Sequence, residues 1–324
     1  MRTPGPGHSQ PDHAADARPA QHSPAAVDAS RPFGAHLRMS WWKPLVLVVV
    51  LPLALVFLQV LALLLVGVVE GGDDPLSPEF TPLKSLAVNL AIGAAGLVAV
   101  LLLVRMTRVP WRTLLSPRRA FDGRRLAHYS IGAALLVGAG LGTVAVVAPG
   151  STPWTGFAIT GTTVALLAVT LLTTPVQAVG EELMYRGVVL PAAASWVRPV
   201  RPALAVGLVV SAVGFAAVHG STDPWLVGYY VVVAVGTGLT AVISGGTEAP
   251  IAFHVVNNVL VGIVNNLMSG GGTSTIDRAT DTGDASLLIL VAVNVGMVAL
   301  VATYERRLRQ RGGHVPAHGP AGSR

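Results

Sequence analysis

Eight apolar runs, each close to the length of one bilayer crossing, dominate this chain and leave it almost no way to fold in water. A spanning helix needs about 20 largely apolar residues. Such runs lie at about 44–68, 85–104, 127–148, 156–180, 203–220, 224–244, 250–268 and 286–303. Charge is correspondingly scarce. Only 12% of the 324 residues are Asp, Glu, Lys or Arg, against about 25% in a soluble domain, so a water-facing surface cannot be covered. The expected fold is all-α: a polytopic bundle of about eight transmembrane helices.

The placement of the charges tests that count. With the N-terminus in the cytoplasm, the outer loops hold Glu70, Asp73, Asp74, Glu79, Lys84, Asp223, Asp277, Arg278, Asp281 and Asp284. The other Lys and Arg fall on the cytoplasmic side, including Arg105, Arg108, Arg112, Arg118, Arg119, Arg124 and Arg125 in one loop. Arg306, Arg307, Arg309 and Arg311 follow the last run. The positive-inside bias therefore predicts both termini in the cytoplasm, and an odd count would put a basic cluster outside. The same distribution assigns the +6 net charge to topology, with no nucleic-acid partner. Residues 1–40, polar and rich in Pro, His, Ala and Gly, read as a disordered tail. A membrane domain is expected over 41–305, with a basic disordered tail over 306–324. The tail histidines His8, His13, His22 and His36 are too widely spaced for a metal site, and the Asp277, Asp281, Asp284 loop lacks calcium-loop spacing. With no cysteine in the chain, thiolate chemistry and Cys-ligated metals are excluded.

Ionisable groups inside spans are costly, about 2.5–3.5 kcal/mol each at the bilayer centre, yet three places carry them. Glu181 and Glu182 close the fourth run. On a helix Glu182 and Arg186 are i,i+4 neighbours and can pair, while Glu181 points about 100° away on a polar line with Gln177 and Thr174. Pro175 could kink the helix nearby. His219 closes the fifth run on a face shared with Ser211 and Phe215. His254 opens the seventh, with Asn258 one turn on and Asn265 continuing the line. Each alone reads as an interfacial or hydrogen-bonding residue; all three together read as a site. A carboxylate with an imidazole can hold and deprotonate water. A second imidazole with an amide offers donors to an oxyanion. Alternatively Glu181, His219 and His254 could hold a divalent metal such as Zn2+ with an open position for water. Either chemistry is hydrolytic.

These residues resemble the CPBP family of intramembrane metalloproteases, the CAAX prenyl endopeptidase, bacteriocin-processing and Abi group. Its EExxxR, FxxxH and HxxxN motifs stand here as Glu181-Glu182-Leu-Met-Tyr-Arg186, Phe215-Ala-Ala-Val-His219 and His254-Val-Val-Asn-Asn258, within about 160–270. The resemblance implies an eight-helix intramembrane endopeptidase acting on a membrane-associated protein or peptide. It implies Glu181 as general base with His219, Glu182 and Arg186 as an orienting pair, and His254 and Asn258 at the oxyanion. It leaves metal-dependent and metal-free mechanisms both open. The Ala- and Arg-rich, cysteine-free composition points to a bacterial plasma membrane. Two other functions compete. A proton- or cation-coupled transporter would show further ionisable residues along the spans and two related halves. A non-catalytic scaffold or bacteriocin self-immunity protein would retain the fold without turnover.

One geometric demand follows. In this topology Glu181 and His254 lie near the cytoplasmic ends of their spans. A fifth helix over 203–219 carries His219 roughly 24 Å away at about 1.5 Å per residue. A shared site requires the fourth helix to protrude over about 180–195.

Overall fold

The computed structural model describes residues 27–71, 74–275 and 280–312. Among the described residues ten α-helices run in chain order: α1 (Trp42–Glu70), α2 (Pro82–Thr107), the short α3 (Arg112–Leu115), α4 (Gly123–Val147), α5 (Gly161–Glu182), α6 (Leu190–Ala194), α7 (Val200–Ala217), α8 (Pro224–Ser244), α9 (Glu248–Leu267) and α10 (Leu287–Gly312). A π-helical segment, Leu183–Val189, joins α5 to α6 without interruption. Eight helices are long and apolar enough to cross a membrane, as expected; the fourth is the continuous unit Gly161–Ala194 of 34 residues. The described exception to an all-helical fold is a two-residue antiparallel ribbon, β1 (Glu79–Phe80) with β2 (Ser274–Thr275), which stitches two loops at one end of the bundle.

Helix ends follow local chemistry. Thr81 caps α2 by accepting from the Lys84 N–H, and Pro82 takes the first helical position, where its missing N–H costs nothing. Asp122 and Asp223 cap α4 and α8 in the same way. Gly71 and Gly245 close α1 and α8 in the left-handed conformation.

Lipid provides no hydrophobic drive between helices, so close approach depends on small residues. At the α2–α5 crossing a Cβ on Gly96 would stand 2.4 Å from the Gly180 backbone. Only glycine at both positions lets α2 press against the turn carrying Glu181. Against α6, a Cβ on Gly207 of α7 would meet the Leu190 carbonyl at 2.6 Å.

Two of the seven arginines assigned to the cytoplasmic loop lie instead against acids. Arg119 pairs with Glu248, the fully buried first residue of α9, which also accepts the Asp122 N–H at 2.9 Å. Arg125 and the Tyr129 hydroxyl both donate to Glu305 on α10. Burial lifts the Arg119–Glu248 contact above the weak surface class of ion pair. Together the two pairs tie the 112–125 segment to the starts and ends of three spans.

The first tail expectation fails over 27–40. Phe33, Ala35, Leu37 and His36 are each at most 1% exposed. The segment closes on itself through the Asp28 N–H donating to the His36 carbonyl, and Gly34 sits against Leu190 and Leu204. Phe33 and Leu37 supply the apolar anchors that a composition average over forty residues hides. Burial of the His36 imidazole, with Arg118 as the second cause, pushes it down to about 4. Residues 1–26 of that expectation lie outside the described residues. The basic C-terminal stretch continues as helix to Gly312, and 313–324 lie outside the description.

Candidate active site

The depth mismatch resolves in the long fourth helix. At about 1.5 Å per residue a 34-residue helix is roughly 50 Å long, well beyond the ~30 Å hydrocarbon core. After Ala194 the chain turns back, and α7 retraces the π segment antiparallel. Gly207 meets Leu190, Ser211 Oγ donates to the Tyr185 carbonyl at 3.3 Å, and the Tyr185 hydroxyl donates to the Gly214 carbonyl at 3.2 Å. Phe215 then lies 4.8 Å from the Arg186 guanidinium. Each step toward His219 is a step back toward Glu181. Over the expected 180–195 the fourth helix continues to Ala194, and Met184 to Ala194 are all buried.

The π segment governs which way Arg186 faces. Its C-terminal cap is an i→i+5 bond, Leu190 N–H to the Tyr185 carbonyl, and Pro191 one residue on has no N–H to return to an α pattern. Such bulges recur at functional sites. α5 itself runs through Pro175 without a break, so the irregularity beside the site sits eight residues later than the proline suggests.

Glu182 and Arg186 pair as their spacing predicts, with both side chains fully buried and Arg186 Nη1 3.1 Å from Glu182 Oε1. The contact is an ion pair rather than an aligned hydrogen bond. Arg186 Nη2 is anchored by Thr237 Oγ1 and the Ala234 carbonyl of α8. The same Glu182 oxygen takes His254 Nδ1 at 2.6 Å, and His254 Nε2 stands 3.4 Å from Glu181 Oε2. His254 thus bridges the two glutamates. With the hydrogen on Nδ1 toward Glu182, the neutral ring turns an Nε2 lone pair toward Glu181, and only the imidazolium carries an N–H on both sides.

His219 is oriented differently. Its Nδ1 contacts the Phe215 carbonyl at 2.7 Å. A carbonyl only accepts, so Nδ1 carries the hydrogen, and in the neutral ring Nε2 holds a lone pair. Tyr230 stacks on the ring with centroids 4.0 Å apart. Asn258 donates to Gln177 Oε1 at 3.2 Å and accepts from Asn257 at 3.1 Å, which leaves its second N–H uncommitted to those two.

Glu181, His219, His254 and Asn258 all line one cavity of about 280 Å³, with Gln177, Asn257, Asn89 of α2 and Gln59 of α1 adding amides to its wall. Glu182 and Arg186 sit behind that wall. Gln177 was legible as part of the Glu181 stripe. Asn257, Tyr230, Asn89 and Thr237 were not, because no spacing in one helix reports which neighbour it faces. Asn265 departs from the line drawn through His254: its side chain accepts from the indole of Trp154 in the loop before α5.

The conditional metal set is not assembled. Among the described residues no three His, Asp or Glu side chains form a group able to hold a metal ion. Both His254 nitrogens face carboxylates, Nδ1 toward Glu182 and Nε2 toward Glu181.

With that geometry in view, the comparisons speak to a defined segment. Residues 162–260 match the protein family described as Type II CAAX prenyl endopeptidase Rce1-like. Over this segment, less than a third of the chain, the protein is similar to the CAAX proteases. It runs from the start of α5 to the middle of α9 and contains all three motifs; α1 to α4 and α10 lie outside it. No curated protein matches the chain. No solved structure matches it either.

Proposed function

We propose that this chain is an intramembrane endopeptidase that hydrolyses a peptide bond of a membrane-associated protein or peptide in a bacterial plasma membrane. The observation that carries the reading is the cavity. An otherwise apolar bundle gathers a carboxylate, two imidazoles and an amide from α5, α7 and α9 around one space, in a segment that matches CAAX proteases. Water in that space is held at Glu181, beside His219. Glu181 accepts a water proton as the oxygen adds to the scissile carbonyl. The free N–H of Asn258 stabilises the oxyanion, with His254 as a second donor when its ring carries a hydrogen on Nε2. As the tetrahedral species collapses, the C–N bond breaks and the proton on Glu181 passes to the leaving amine. Glu182 and Arg186 hold His254 in orientation from behind and touch no reacting atom.

The test compares wild type with Glu181→Ala in the native membrane background and maps the N- and C-termini of all membrane and secreted polypeptides. Termini that vanish in a variant inserted at normal levels establish proteolysis and identify the substrates. Identical termini in both strains refute the reading and favour a scaffold or transporter.

A further inference from the structure

The two ends of the bundle are unequal. At one end the described loops carry Glu70, Asp74, Glu79, Asp223, Asp281 and Asp284. The base there, Lys84, is buried and donates to Ser77. At the other end lie Arg105, Arg108, Arg112 and Arg118 and, in the last turns of α10, Arg306, Arg307 and Arg309. Basic loops stay in the cytoplasm, so the acidic end is the outer one.

The cavity belongs to the acidic end. Its wall includes Phe80 from the ribbon itself, Asn89 seven residues into α2, and Tyr229 and Tyr230 within the first two turns of α8, directly after the 218–223 loop. Toward the basic end the way is blocked. Met184 to Ala194 are all buried, Arg186 fills the space between α5, α7 and α8, and the 27–40 loop packs Gly34 against Leu190 and Leu204 beyond it. Water, and a polypeptide, reach Glu181 from the side where the acids are.

We infer that the site is served from the non-cytoplasmic face, so that its substrates are exported polypeptides or outward-facing segments of membrane proteins rather than cytosolic C-termini. The hydrolytic part of this statement rests on the proposed function; the sidedness does not.

The chain contains no cysteine, so single cysteines can be probed without background. Gln59→Cys and Asn89→Cys place a thiol in the cavity on two different helices. Ala285→Cys and Ala120→Cys mark the acidic and basic ends. Each full-length variant is treated with a membrane-impermeant trimethylammonium methanethiosulfonate, in right-side-out and in inverted vesicles. Protection from a later maleimide–polyethylene glycol gel shift is the readout. Loss of the shift for Gln59→Cys, Asn89→Cys and Ala285→Cys in right-side-out vesicles, and for Ala120→Cys in inverted ones, is the expected result. Cavity cysteines that react only in inverted vesicles, together with Ala120→Cys, overturn the inference. So does failure of both cavity cysteines to react in either orientation while the two end markers do. Outward labelling combined with Glu181-independent termini would refute proteolysis and leave the sidedness standing. Inward labelling with Glu181-dependent termini would do the reverse.

Discussion

Replacing Arg186 with methionine tests whether the buried pair behind the cavity is what holds the site together. Arg186 and Glu182 are both fully buried, and the guanidinium is held by Thr237, the Ala234 carbonyl and the Phe215 ring. Methionine keeps the length and helix propensity, so most of the packing survives and the lost charge dominates. Glu182 is then left with His254 Nδ1 as its described donor. Removing one partner of a buried ion pair costs about 3–5 kcal/mol, while Thr237 Oγ1 and the Ala234 carbonyl keep their hydrogen bonds within α8. Thermal unfolding in detergent, read as loss of monodisperse protein, should show a large drop in Tm for Arg186→Met. Glu182→Gln should be similarly damaging, because it leaves the guanidinium uncompensated. The double variant removes both charges. It should cost less than the two singles combined by more than about 1 kcal/mol, within the range of coupling for contacting residues. Additive losses would refute the pairing argument, and a single variant as stable as wild type would refute the burial on which it stands.

Three further outcomes follow from particular contacts. Asn258→Ala should lower kcat on an identified substrate by about 100- to 1,000-fold, the range for one oxyanion donor, with KM little changed; a KM effect alone would count against that role. Gly96→Ala should destabilise the bundle by about 1–3 kcal/mol through overpacking, since its Cβ would stand 2.4 Å from the Gly180 backbone; an unchanged Tm would show that the α2–α5 crossing is looser than drawn. His36, neutral when folded and lowered from 6.5 to about 4, binds its proton more readily when unfolded. Its contribution is complete above pH 6.5 and is lost as pH falls toward 4, about 3 kcal/mol in all. His36→Phe should flatten that part of the stability profile, and an unaltered profile would sink the assignment.

The sequence was most legible where lipid imposes its constraint one helix at a time. A span of about 20 apolar residues must be a helix because its backbone has no other hydrogen-bond partner there, and all eight appear. The Glu182–Arg186 pair was legible for a similar reason, since i,i+4 is a property of a single helix. The loop acids and bases were legible as a pattern but not as partners. Nothing local joins Arg119 to Glu248 or Arg125 to Glu305 across more than a hundred residues. The 27–40 segment was misjudged because its few apolar anchors need α6 and α7 to pack on.

By itself, then, the sequence determined the solvent, the number of spans and the short list of polar side chains too costly to be incidental. Tertiary structure alone decided how they meet. It extended the fourth helix through a π segment to 34 residues and folded α7 back along it. It also turned His254 onto both glutamates. Those outcomes depend on where glycines let helices touch and on which faces then coincide, and no single helix carries that information.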